Sequence, residues 1–97
     1  VYLDDTQRLS ATVLMKALNA GEAKLRETEQ VDATENVMRD LIDSHGLEVD
    51  YASVVDPDTF EDPSPGGPYL LVIAARVGAT RLIDNLLIEG GKTDVPA

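Results

Sequence analysis

Arg76, Arg81, Asp84 and Asn85 are the residues best equipped for chemistry, and all four fall inside an apolar run, "YLLVIAARVGATRLIDNLLIE". Cationic, anionic and amide side chains so placed serve either as ligand contacts or as a polar network tying a sheet together. If Gly78-Ala79 is a two-residue turn, Arg76 stands opposite Arg81 across a hairpin. Like charges directly opposite destabilise a strand pair, so an acid must lie nearby or the register must differ. Side chains alternate along a strand. Arg81, Ile83 and Asn85 therefore share one face, and Leu82, Asp84 and Leu86 the other. Arg81 and Asp84 cannot simply pair, and Asp84 among apolar neighbours needs donors, either backbone N–H groups or an arginine.

Other candidates are weaker. Asp56, Asp58, Glu61 and Asp62 cluster in "DPDTFEDPSPGGP", without the ligand spacing or sharp glycine turn of a common calcium loop. They read as a solvated acidic loop. His45 is the only histidine and stands beside Gly46, where a cation suits a helix C-terminus. No Ser or Cys nucleophile is arranged around it. Glu89-Gly90-Gly91-Lys92-Thr93 contains "GKT", yet the glycine that a phosphate loop requires five residues before Gly91 is Leu86, and the helix it also requires is not seen in the four residues given after Thr93. Asp4-Asp5 is accounted for by helix N-terminus electrostatics.

The elements that would position these residues follow from periodicity. Asp4 can cap a helix and Gln7 complete a capping box. Leu14, Leu18, Gly21 and Leu25 recur at helical spacing, which predicts a helix from about Asp5 to about Arg26. Gly21 would weaken it by about 1 kcal/mol relative to alanine. Asp32-Ala33-Thr34-Glu35 repeats the opening signal. Val37, Met38, Leu41 and Ile42 form one stripe, Gly46 ends the helix, and Leu47 can fold back onto Ile42. Leu47 to Tyr51 alternates with period two and runs into Val54-Val55 as a half-buried strand. Residues 56–68 form a loop, Tyr69 to Val77 a buried strand and Arg81 to Ile88 a third. The short Gly78-Ala79 connection forces the last two to pair antiparallel. "GGKTDVPA" is expected to be a frayed tail. Helix, helix and three strands in that order predict an α+β two-layer sandwich, with helices packed on one face of a three-stranded antiparallel sheet.

Bulk properties narrow the function. The chain has 97 residues, enough for one small domain. With one Phe, three Tyr and no Trp, its core must come from Leu, Val, Ile and Ala. The absence of Cys excludes disulfides, thiolate metal sites and thiol chemistry. A formal net charge of -10 without a basic stripe argues against nucleic acid and anionic membranes as partners. That lack of Cys fits a cytoplasmic location; no apolar run has membrane-spanning length, and no charged-then-apolar signal segment opens the chain. Val1 in place of Met reads as an excerpt from a longer protein.

The segments "YLDDTQR" (2–8), "VDYASVVD" (49–56) and above all "LLVIAARVGATRLIDNLLIE" (70–89), in this order and spacing, resemble the C-terminal domain of the pantothenate synthetase (pantoate–β-alanine ligase) family. The resemblance covers nearly the whole chain; the acidic 56–68 loop and the tail are individual to it. It implies that residues 1–89 are a lid domain and 90–97 a flexible tail. The full enzyme would join pantoate to β-alanine with ATP and magnesium, through a pantoyl adenylate, releasing pyrophosphate and AMP. The nucleotide-binding N-terminal domain would carry the catalytic motifs, so no catalytic, cofactor-binding or metal-binding residue is carried over to this chain. It would need no cofactor of its own and would be inactive alone. Its partner would be that N-terminal domain, in an enzyme that dimerises largely through it. The lid would close about a hinge near Val1 to Leu3 and shield the acyl adenylate from water. The alternative is a non-catalytic α+β protein-interaction module, working through a sheet face or edge.

Overall fold

The computed structural model describes residues 5–89. Two helices, α1 (Asp5–Thr28) and α2 (Val31–Ser44), precede three strands, β1 (Glu48–Val55), β2 (Tyr69–Val77) and β3 (Thr80–Ile88). The strands form one antiparallel sheet in the order β1-β2-β3. Both helices lie on one face, giving the expected α+β two-layer sandwich. The core joins Leu14, Ala17, Leu18 and Leu25 of α1 to Met38 and Ile42 of α2, and both to Ala52, Val54, Tyr69, Leu71, Ile73, Ala75 and Ile88 of the sheet.

α1 runs two residues beyond the expected Arg26, and Glu29 breaks it with a φ of 55°. The expected cost of Gly21 misses its purpose. A Cβ there would come within 2.7 Å of Met38 Cγ and 3.0 Å of Leu71 Cδ2, so glycine is what lets α1 lie close on α2 and the sheet.

α2 also opens differently from the expected signal. Its N-cap is Gln30, in extended backbone and with no side-chain cap bond, so Asp32 lies inside the first turn. Thr34 is fully buried and its hydroxyl donates to the Gln30 carbonyl at 2.9 Å, which satisfies it where it stands. The helix stop is as expected. Gly46 takes a φ of 83°, its N–H donates to the Asp43 carbonyl, and the Leu47 N–H reaches the Ile42 carbonyl. This is the two-bond arrangement a left-handed residue permits, and it returns Leu47 to the core beside Ile42. Asp4, on which the expected cap depends, and the "GKT" segment lie outside the described residues. Among those residues, no helix is long and apolar enough to cross a membrane.

Candidate functional site

The hairpin register sets the geometry. β2 and β3 pair with Arg76 opposite Arg81 and Val77 opposite Thr80, around Gly78-Ala79. The two arginines therefore do face one another. The acid that makes this tolerable comes from β1. Between Val49, opposite Ala75, and Tyr51, opposite Ala74, one extra residue is inserted, and it is Asp50. A bulge of this kind re-aims a side chain. Here it turns the Asp50 carboxylate onto the arginine face. Arg76 Nε donates to Oδ1 and Oδ2 at 3.1 and 3.2 Å, and Arg81 Nε donates to Oδ2 at 2.8 Å. The Arg81 guanidinium also sits over the Tyr51 ring, 5.7 Å from its centroid.

Electrostatics agree with this geometry. Partial burial pushes the Asp50 carboxyl up. The hydrogen bonds and positive charges of Arg76 and Arg81 outweigh that and hold it below its ordinary value. Asp50 is thus a carboxylate shared by two guanidiniums, with its side chain 21% exposed while the arginines are about half exposed. Both ion pairs use Nε. Such a group can hold strands in register or meet an anion at its solvent side.

Asp84 and Asn85 lie elsewhere. Asp84 sits opposite Ile73 on the helix-facing side, and its Oδ1 accepts the Asn85 backbone N–H at 2.8 Å. The expected donor is a backbone N–H, and no arginine is involved. That N–H is on the free edge of β3. The other edge is treated alike: the Val54 N–H of β1 donates to Glu35 Oε2 of α2 at 2.8 Å. Each outer strand thus has an edge N–H occupied by a carboxylate, which blunts an edge that would otherwise pair with another strand. Glu35, expected to complete a cap, is used for this instead; no local sequence signal points to a contact 19 residues away.

Asp56 is satisfied within the acidic loop. Asp56 Oδ1 accepts the N–H groups of Asp58 and Thr59, and the Asp56 N–H donates to the Glu61 carbonyl. Among the described residues no three His, Cys, Asp or Glu side chains converge where they could hold a metal ion. His45 caps its own helix, with Nδ1 2.9 Å from the Leu41 carbonyl; since a carbonyl only accepts, Nδ1 carries the hydrogen. Sequence reasoning missed Asp50, whose only signal was the strain of two facing arginines.

The family model for pantoate-beta-alanine ligase matches residues 1–87. The pantothenate synthetase of Thermodesulfovibrio yellowstonii is 41% identical over 92 residues, covering 92% of this chain and 33% of that protein. Pantothenate synthetase 4 of Frankia alni is 44% identical over 87 residues, 89% of this chain and 28% of that protein. The crystal structure of pantothenate synthetase from Thermus thermophilus superposes with a TM-score of 0.75 at 27% identity, over 90% of this chain and 32% of that one. The chain thus spans about a third of the length of the relatives it matches. With the match covering the helices and nearly all of the sheet, the chain belongs to the pantoate-beta-alanine ligase family.

Proposed function

We propose that residues 1–89 are the C-terminal lid domain of an ATP-dependent, AMP-forming ligase that joins pantoate to β-alanine, with 90–97 as its tail. The observation that carries this is the family match over residues 1–87, set against relatives about three times as long. The remaining two thirds would be the nucleotide-binding domain, the partner of this chain, in a cytoplasmic enzyme that dimerises. Asp56 of the loop is spent on its own backbone N–H groups, and among the described residues no three His, Cys, Asp or Glu side chains form a metal-holding cluster. No step of the ligation is therefore assigned to this chain. ATP and magnesium would be held by the rest of the enzyme.

What this chain supplies is a stiff cover. Its sheet is tied across all three strands by Asp50, Arg76 and Arg81, and backed by two helices. A cover over a cleft excludes water and spares an activated acyl group from hydrolysis. Two assays test the proposal. The chain alone, given pantoate, β-alanine and ATP, should form no pantothenate. Substituted for the last third of the Thermodesulfovibrio yellowstonii enzyme, it should give an active ligase. Pantothenate from the isolated chain, or a folded but inactive chimaera, would sink it.

A further inference from the structure

Phe60 stands on strained backbone in full view of solvent. Its φ is 61°, a left-handed value that a bulky side chain adopts only under constraint, and it is 68% exposed. The loop after β1 imposes this conformation. The Phe60 N–H donates to the Asp56 carbonyl at 2.8 Å and the Asp56 N–H to the Glu61 carbonyl at 2.8 Å. Asp56 Oδ1 takes the N–H groups of Asp58 and Thr59. Glycine would sit at this position without strain. Strain held in place by its surroundings gathers at ligand contacts, and this ring takes no part in the core.

The ring borders an open groove of about 270 Å³ on the sheet face turned away from the helices, together with Tyr51, Ser53, Val55 and Val72. Tyr51, Ser53 and Val55 occupy every second position of β1, and Val72 of β2 stands opposite Ser53. The paired strands thus give the groove a flat floor, and the Arg81 guanidinium packs on the Tyr51 ring.

This lining sets the chemistry of a ligand. Two aromatic rings and two valines suit a flat apolar body. All five side chains are uncharged, and the polar atoms among them are the hydroxyls of Ser53 and Tyr51. A hydroxyl both donates and accepts, so it suits a ring nitrogen or a ring N–H. Asp58, Glu61 and Asp62 belong to the Phe60 loop and turn anions away. The volume falls just under the roughly 300 Å³ at which drug-sized pockets begin, which leaves room for one ring system. We infer that this groove binds a flat, uncharged nitrogen heteroaromatic of one ring system, with Phe60 as its aromatic contact. The inference stands apart from the ligase proposal.

Indole is the probe. Phe60 is the only Phe in the 97-residue chain and there is no Trp, so its ring protons are a ready NMR reporter. Indole added to about 10 mM should move them upfield along a saturable curve, with a Kd on the order of 1 mM. It should also show intermolecular NOEs to Phe60 and Val72. Phe60→Gly relaxes the backbone and should not lower the urea midpoint. It should nevertheless raise the Kd, followed at the Val72 methyl groups, at least about tenfold. Benzoate, flat but anionic, should bind more weakly than indole. Shifts that rise linearly without NOEs, or a Kd that Phe60→Gly leaves unchanged, overturn the inference. Benzoate binding as tightly as indole overturns the ligand class. Should Phe60→Gly fail to fold, the NOEs to the unaltered chain decide alone.

Discussion

The two faces of this sheet use the same strands and similar residue types, yet they are different materials. Towards the helices β2 turns Tyr69, Leu71, Ile73 and Ala75, all buried, against Met38, Ile42 and Leu14. Away from them it turns Leu70, Val72, Ala74 and Arg76, joined by the exposed Ile83 and Leu87 of β3. On the covered face a methyl group has partners on every side, and each one lost leaves a hole. On the open face it has water on one side, so polar ties carry the organisation. Asp50 bridges the strands there because the bulge delivers it where Arg76 and Arg81 would otherwise repel. The same side-chain alternation makes both faces; only the helices make them unequal.

The contrast can be broken most severely at Leu71 or Ile73, both fully buried. Leu71→Ala should cost about 3 kcal/mol, read as a fall in urea midpoint at unchanged slope. A loss below about 1 kcal/mol would mean that the helix face is not a close-packed core. Next comes the helix contact itself. Gly21→Ala gains about 1 kcal/mol of helix propensity but must displace the buried Met38 side chain. A net loss of about 1–2 kcal/mol is expected. Shortening Met38 in the same chain should return part of it, and strict additivity of the two changes would argue against their contact.

A smaller effect is expected at the strand edge. Glu35→Ala removes the acceptor of the Val54 N–H and should cost about 1 kcal/mol in thermal or urea unfolding. The open face should respond through pH. Asp50 has a depressed folded-state pKa, so its contribution is fully present above the unfolded value of about 4. It is lost as pH falls through the lower folded value. Asp50→Asn should therefore lower the urea midpoint at neutral pH and match the wild type at strongly acidic pH. A constant gap at every pH would show that packing, and not charge, is what Asp50 provides. Ile83→Ala should be smallest, within about 0.5 kcal/mol. A core-sized loss there would mean the two faces are alike after all.

Much of this was legible beforehand. The stripe ending at Ile42, the stop at Gly46 and the two-residue hairpin turn are local signals, and each governs backbone within a few residues of itself. The facing of Arg76 and Arg81 followed from the turn, and with it the demand for an acid. Which acid could not be read. Asp50 lies 26 and 31 residues from its partners, and the bulge that aims it exists only once β1 is paired. The cap expected from Asp32 failed for a related reason. Propensity allowed a cap there, but the chain reversal at Glu29 starts the helix at Val31 and frees Glu35 for the sheet edge.

By itself, then, the sequence determined the five elements, the hairpin register and the two-faced pattern of the strands. These depend on side-chain period and on turn residues, which act over short separations. Tertiary structure decided that Gly21 is a contact and not a weakness, that Glu35 guards an edge, and that Asp50 joins two arginines. Each of those requires groups far apart in the chain to be brought within a few ångströms, and only the packed helices and the paired sheet do that.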